Sequence, residues 1–381
     1  MAGQQTNAPR VDGEEILDGI RQWVEIESPT YDGAAVNELA DVVEKSMRSL
    51  GAAIERTPGR DGFGDILKAR TPWGGDGPGI LVLSHLDTVH PKGSLEDYNP
   101  WRREGDSVFG PGIYDMKAGA YLAYYAYQHL VRAGRETPLP VTFLYVPEEE
   151  IGSPTSRAAI EAEAKKHKYV LVTEPAREGG KIVTGRKGVG RFFATACGVA
   201  AHSGSRHADG RSAIKAMARL VLEVEAMTDY EIGVTTNVGL ISGGTGVNVV
   251  PHECTAEIDL RVPTPALAEE YEKRILGLTS RESGVELVVT GGINRPPYQK
   301  DEGIQKLFDH AKALCAEIGF ELEDMHTGGG SDGCFTAALG IPTLDGLGAD
   351  GVGAHAQHEQ IYFSSLEPRA KMWIRLLETL R

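Results

Sequence analysis

The chain has 381 residues, of which 41% are hydrophobic and 24% charged, a globular composition and a length sufficient for two cores. Its 39 basic and 54 acidic residues leave a net charge of −15, which argues against nucleic acid or an anionic membrane as a partner because both would be repelled. The four cysteines, Cys197, Cys254, Cys315 and Cys334, lack CxxC spacing and read as reduced thiols rather than a disulfide framework or a structural zinc site. Residues 1–10 form a polar stretch without the apolar centre of a signal peptide, and the longest apolar runs are strand-sized, so a cytoplasmic location is expected.

From about Glu14 to Leu50 apolar residues recur at helical spacing, interrupted by a loop around ESPTYDG. Three short runs rich in β-branched or aromatic residues follow, Ile80–Leu83, Val141–Val146 and Tyr169–Val172, with helical segments over Met116–Ala133 and Thr155–Lys166. Strands alternating with helices imply an α/β fold, a mostly parallel sheet with flanking helices. The rhythm then changes. Arg191–Gly198 alternates, Ser212–Met227 is helical, Thr235–Ser242 and Cys254–Val262 alternate, Ala266–Arg281 is helical and Val285–Thr290 is a last strand. That βαββαβ order is the ferredoxin-like split unit. The expected organisation is therefore a catalytic domain of residues 1–186 and 296–381, interrupted by an inserted domain of residues 187–295. Glu302–Gly319 and a Gly-rich stretch return the chain to the first domain.

In an open α/β sheet, ligands collect at the carboxyl ends of the strands, and metal-competent residues fall there. His85 and Asp87 end the run GILVLSHLDT two residues apart, on one side of an extended chain. His85 can bind a metal through one ring nitrogen while Asp87 holds the other; a solvent-facing histidine beside a turn aspartate is the alternative. Asp115 lies in the Gly/Pro-rich loop of GPGIYDMKAG just before a helix, where it is a ligand or merely an N-cap. Glu148, Glu149 and Glu150 follow an apolar strand in FLYVPEEEIGS, and neighbouring carboxylates there repel unless cations compensate. Glu174 occupies the same place in YVLVTEP, and GVGAHAQHEQ offers His355 and His358. Each signal is weak singly. Together, carboxylates with imidazoles suit zinc or a similar divalent ion, and a shared aspartate suits a pair.

With SHLDTV, GxxDMKAG, PEEEIGS, TEP, GVAAHSG, GGTGVNVVP, DLR, GGGSDG and GAHxxxE over nearly its whole length, the chain resembles the aminoacylase/carboxypeptidase G family of co-catalytic zinc metallopeptidases, and its glutamate carboxypeptidase branch in particular. The resemblance implies a zinc-binding α/β domain interrupted by a ferredoxin-like lid through which two copies form a homodimer. It implies Asp115 as the ligand shared by two Zn2+ ions (Mn2+ or Co2+ being alternatives), with His85 and Glu174 completing one site and Glu150 and His355 the other. Asp87 corresponds to the residue orienting His85, Glu149 to the general base, and His202 of AHSG to the lid donor for the oxyanion. Glu148, in a variable acidic position, is expected to be solvated. The gap of four residues to Glu359 favours His355 over His358.

Between Lys181 and Arg211 lie six basic residues, Lys181, Arg186, Lys187, Arg191, Arg206 and Arg211, against Asp209, a local charge of +5 in an acidic chain. A basic rim of this kind would attract a small carboxylate-bearing substrate, with Arg206 and Arg211 expected instead to pair with surface acids. Arg261 in EIDLRV corresponds to the family arginine that grips the substrate carboxylate; Asn248 and Lys181 match assisting positions. Gly329 would bring backbone donors close to the substrate, a plain turn being the alternative. The expected function is hydrolysis of an amide bond to a C-terminal glutamate-like residue. The alternatives are an N-acyl amino acid deacylase, an aminohydrolase of an amino-aromatic acid, and a non-catalytic binding relative.

Overall fold

The structure, a computed structural model, describes residues 10–381; the N-terminal polar stretch falls, through residue 9, outside them. The chain forms two compact units: residues up to Thr184 with Lys300–Met325 and Ser331–Arg381, and Gly185–Gln299 with His326–Gly330. The expected catalytic segment 296–381 is thus divided, since residues 326–330 group with the second unit.

The first unit is built on a six-stranded sheet in the order Ala53–Thr57, Ile66–Arg70, Val141–Val146, Gly79–His85, His167–Val172 and Thr343–Leu344. The last four strands are mutually parallel; Ile66–Arg70 joins them antiparallel, and Ala53–Thr57 pairs antiparallel with Ile66–Arg70 at the edge. Gly79–His85 and Val141–Val146 are buried along their whole length, which is why they read as uninterrupted apolar runs rather than alternating ones. Helices Gly13–Val24 and Gly33–Ser49 start at Asp12 and Asp32, whose carboxylates accept backbone N–H groups of the first turn, as N-caps do. The helix Ala118–Arg132 is apolar on nearly every side and correspondingly buried. A Cβ at Gly119 would stand 1.9 Å from the Thr173 carbonyl oxygen. Glycine there lets the helix start lie against the strand that runs into Glu174.

The second unit carries a four-stranded antiparallel sheet in the order Thr235–Gly243, Glu253–Val262, Gly188–Cys197, Glu286–Arg295, with helices Ala213–Glu225 and Pro265–Leu276. Strand Glu253–Val262 alternates strictly between buried and more exposed positions. Its buried face joins Phe192, Met217, Leu220, Tyr271 and Ile275 in a core of its own. This is the βαββαβ arrangement.

Candidate metal centre

Three adjacent parallel strands deliver the site. Gly79–His85, at the middle of the sheet, ends in His85; Glu149 and Glu150 follow Val141–Val146, and Glu174 follows His167–Val172. Asp115 arrives on the segment that leads into helix Ala118–Arg132, and His355 from the C-terminal part of the same unit. The ligand atoms of His85, Glu149 and Glu174 lie within 4.8 Å of one another, as do those of His85, Asp115 and Glu150. The two carboxylate oxygens of Asp115 face different imidazoles: Oδ1 is 3.3 Å from His85 Nε2, and Oδ2 is 3.4 Å from His355 Nε2. His355 Nε2 also stands 3.0 Å from Glu150, and His85 Nε2 3.8 Å from Glu174. Both His355 and His358 are exposed, and it is His355, with a left-handed backbone (φ 63°), whose Nε2 meets Asp115 and Glu150.

The surrounding shell is buried. His85 Nδ1 lies 2.9 Å from the Asp87 carbonyl oxygen and 3.3 Å from its carboxylate. As a donor there, Nδ1–H leaves Nε2 as the coordinating nitrogen. The Asp87 carboxylate also accepts the Glu149 and Glu150 N–H groups at 3.1 and 3.3 Å and the Thr30 hydroxyl at 2.8 Å. It therefore fixes both glutamates as well as the imidazole. Glu359, fully buried, accepts from the N–H groups of Gly112, Tyr114 and Asp115 at 2.8–2.9 Å and pairs with His90. Sequence reasoning used Glu359 only as a spacing mark. Its contacts show that it clamps the loop presenting Asp115. Lys117, also buried, donates to the Ile26 carbonyl, and burial lowers its pKa to about 7.

The donor set fits cations. Burial, and then the charge of Asp115, push the Glu150 carboxyl up to about 8, and its Oε1 is buried without a hydrogen-bond partner. Burial alone would lower His85, but hydrogen bonds to Asp115 and Asp87 outweigh it and hold the ring well above its ordinary value. Asp115 and then Glu150 hold His355 up to about 11. Burial would raise Asp115, but the two imidazoles hold it well below the carboxylate range. Protons thus balance the carboxylates wherever divalent ions do not.

Other positions depart from expectation. Glu148 is not solvated: it is completely buried, and one oxygen accepts from the N–H and hydroxyl groups of both Thr155 and Ser156 at 2.7–2.9 Å. A charge run at a buried strand end found donors seven and eight residues on. The basic segment does not form a simple rim either. Arg186 is buried and donates to the Gly329 and Gly330 carbonyls, Lys187 to Gly233, and Arg211 to Ala208 and Gly210. Arg206 pairs with Asp209, as expected, while Arg211 takes carbonyls instead of an acid. The Lys181 ammonium pairs with Glu323 at 3.2 Å, and Arg177 is the cation beside the cluster, 3.7 Å from Glu174.

His202, Asn248, Arg261 and Gly329 all belong to the second unit. His202 Nδ1 accepts the Gly204 and Ser205 N–H groups at 3.1 and 3.2 Å, which places the ring proton on Nε2 as a free donor. Asn248 is its neighbour, because its carbonyl accepts the Ser203 N–H and His202 pairs with Val249. Arg261 is gripped through Nε and Nη2 by both Asp259 oxygens, at 2.8 and 2.9 Å, while Nη1 donates to Gly328. Two guanidinium hydrogens remain for a ligand. The Gly329 N–H turns toward Thr327 at 3.4 Å.

A mixed α/β domain with imidazoles and carboxylates gathered at its strand ends has the donor set of a metal-binding protein. The chain matches Peptidase family M20/M25/M40 over residues 81–379 and belongs to that family. It is 31% identical to carboxypeptidase G2 of Pseudomonas sp. (strain RS-16) over 376 residues, covering 96% of this chain and 89% of that one. It is 28% identical to succinyl-diaminopimelate desuccinylase of Bordetella avium (strain 197N), covering 96% and 98%. Among solved structures, a tripeptidase of Staphylococcus aureus superposes with a TM-score of 0.77 at 19% identity over 97% and 99% of the two chains. A family M20 metallo-carboxypeptidase of Sulfolobus solfataricus gives a TM-score of 0.72 at 19% identity, over 95% and 98%.

Proposed function

We propose that this M20 hydrolase is a glutamate carboxypeptidase-like enzyme, cleaving the amide bond to a C-terminal glutamate-like residue with two Zn2+ ions bound. The observation that carries the reading is Asp115, whose two oxygens face His85 and His355 separately, the arrangement that a shared ligand requires. His85 and Glu174 would complete one site, Glu150 and His355 the other. When bound, such ions polarise a carbonyl and make water nucleophilic near neutral pH.

Glu149 groups with His85 and Glu174, so proximity alone does not divide ligands from base; the family resemblance assigns Glu149 to proton transfer. Its carboxylate takes the proton of the attacking water and returns it to the leaving nitrogen. Asp87, by holding the Glu149 N–H, keeps that carboxylate in place. His202, with Nε2–H outward, donates to the oxyanion of the tetrahedral intermediate. Arg261, held by Asp259, offers its remaining N–H pair to the substrate carboxylate, with Asn248, Lys181 and Gly329 in assisting roles.

The sequence relation to carboxypeptidase G2 supports a carboxypeptidase; that to a desuccinylase keeps N-acyl amino acid deacylation as the second reading. A homodimer through the second unit is part of the proposal. Edge strand Thr235–Gly243 exposes Leu240 and Ile241, and helix Ala213–Glu225 exposes Leu222, apolar surface of the kind that pairing covers. No helix of the described residues is long and apolar enough to cross a membrane, which accords with the proposed cytoplasmic location.

Hydrolysis of N-acyl-glutamates, acetylated neutral amino acids, a dipeptide and an amino-aromatic acid by the zinc-loaded protein tests the reading. Preference for the glutamates is expected; turnover confined to another substrate would transfer the enzyme to that class. Glu149→Ala should abolish turnover while retaining zinc, and full activity in that variant would remove Glu149 from the mechanism.

A further inference from the structure

Arg177 lies in the first unit, just beyond Glu174 in the chain, and has no part in the hydrolytic reading. It opens a tight hairpin: its N–H donates to the Lys181 carbonyl at 2.8 Å, and its carbonyl accepts the Lys181 N–H at 2.7 Å. Both flanks are pinned. The Ala176 carbonyl accepts the Tyr114 hydroxyl, and the Gly180 carbonyl accepts from the guanidinium of Arg369, itself buried. A cation mounted on a hairpin held in this way is a fixed charge, unlike the mobile head of a surface side chain.

That charge faces the metal centre. Among the described residues, Glu174 is the acid within ion-pair distance of it, with Arg177 Nη2 3.7 Å from Oε2. The other oxygen, Oε1, lies 3.8 Å from His85 Nε2, the nitrogen left to coordinate. Glu174, a buried residue, is thus divided: one oxygen turns toward the imidazole and the other toward the guanidinium. Arg177 also lies beside the Tyr114 hydroxyl, where it opposes the burial that pushes that phenol up to about 12. Tyr114 immediately precedes Asp115, so one guanidinium adjoins two segments that present metal-competent groups.

This sets Glu174 apart from the other carboxylates of the cluster. Asp115 and Glu150 face imidazoles, which can themselves coordinate a metal. Glu174 faces, in addition, a cation that has no lone pair to offer and does not lose its charge. Beside a divalent ion such a group repels, and it draws on the same carboxylate that the ion needs.

We propose that Arg177 is a positioning residue that reserves Oε2 of Glu174, leaves Oε1 as the donor, and by its permanent charge loosens the ion held by His85 and Glu174. The inference rests on the two-ion reading of the site. Charge and mere support predict opposite signs. Loss of a group that only orients a ligand weakens metal binding, by roughly 10–100-fold. Neutralising a cation that opposes the ion strengthens it. A neighbouring charge at this distance is worth about tenfold or more, and because Arg177 is 25% exposed the gain belongs at the lower end, about tenfold.

The test starts from three zinc-loaded proteins: wild type, Arg177→Gln, which is neutral and retains an N–H donor, and Arg177→Lys, which retains the charge. Each is titrated with a chelator of known affinity while zinc per chain is counted. Arg177→Gln should hold one ion about tenfold more tightly and change the other by less, whereas Arg177→Lys should match wild type. Equal or weaker retention in Arg177→Gln, or the same gain in Arg177→Lys, would overturn the role of the charge. With Co2+ in place of zinc, visible absorption should change in Arg177→Gln, where Oε2 becomes available as a donor, and not in Arg177→Lys. Identical spectra in all three would overturn the reservation of Oε2. A wild type that saturates at one ion would remove the two-ion reading; Arg177 would then stand if Arg177→Gln tightens that ion and fall if it does not. Two ions with retention indifferent to residue 177 would do the reverse.

Discussion

Replacing Glu359 by alanine removes the acceptor of three backbone N–H groups, those of Gly112, Tyr114 and Asp115, and the partner of His90. The carboxylate has no exposure, so the freed donors face protein rather than bulk water. At a minimum of about 1 kcal/mol for each unsatisfied backbone donor, the cost is about 3 kcal/mol. Relaxation of residues 112–115 relieves that cost only by moving Asp115 away from the two imidazoles it spans. Expressed as metal affinity, about 3 kcal/mol is on the order of a hundredfold, at the upper end of the roughly 10–100-fold typical for groups that orient ligands. Glu359→Gln keeps an oxygen for Tyr114 and Asp115 but turns an NH2 toward the Gly112 N–H, so an effect near tenfold, about 1.4 kcal/mol, is expected. Competition against a chelator of known affinity measures the metal constants, and hydrogen exchange at the Tyr114 and Asp115 amides reports the loop. Wild-type affinity with both amides still protected in Glu359→Ala would refute the clamp.

Asp259→Asn should free the Arg261 fork. Because the pair is about a third exposed, stability should change by less than about 1 kcal/mol, while KM for a carboxylate-bearing substrate rises severalfold and kcat holds. Unchanged KM in steady-state kinetics would show that Asp259 does not position Arg261. Metal uptake should release protons. His355 is held up to about 11 by Asp115 and Glu150, and Glu150 to about 8 by burial and then by Asp115. Both carry protons at neutral pH in metal-free protein, and coordination requires them deprotonated. Affinity should therefore climb from pH 6 to 8, and titration calorimetry in two buffers of different ionisation enthalpy should give different heats. Identical heats would contradict the titration scheme.

The strands Gly79–His85 and Val141–Val146 were legible because burial on both faces leaves an unbroken apolar run, and the second unit because its strands alternate. Ala53–Thr57 and Ile66–Arg70 escaped notice: charges at Glu55, Arg56, Lys68 and Arg70 break their apolar pattern, yet the two pair antiparallel at the sheet edge. Helix Pro265–Leu276 ends sooner than its periodicity suggests, at Gly277, where residues 277–281 leave the helix. His85, Asp115, Glu150, Glu174 and His355 could be singled out because strand ends and Gly-rich loops carry recognisable local chemistry. Glu148 could not, since a triple glutamate gives no sign of which member turns inward. The Glu359–His90 contact spans 269 residues and the Glu359–Asp115 contact 244, and no local pattern encodes either.

The most direct test is to strip the protein with chelator, return zinc in measured steps, and follow bound metal and N-acyl-glutamate hydrolysis together. The account predicts no turnover without metal, saturation at two ions per chain, and activity that rises with their occupancy. Full hydrolysis by the stripped protein, or saturation at a single ion, would contradict a centre in which Asp115 joins two sites.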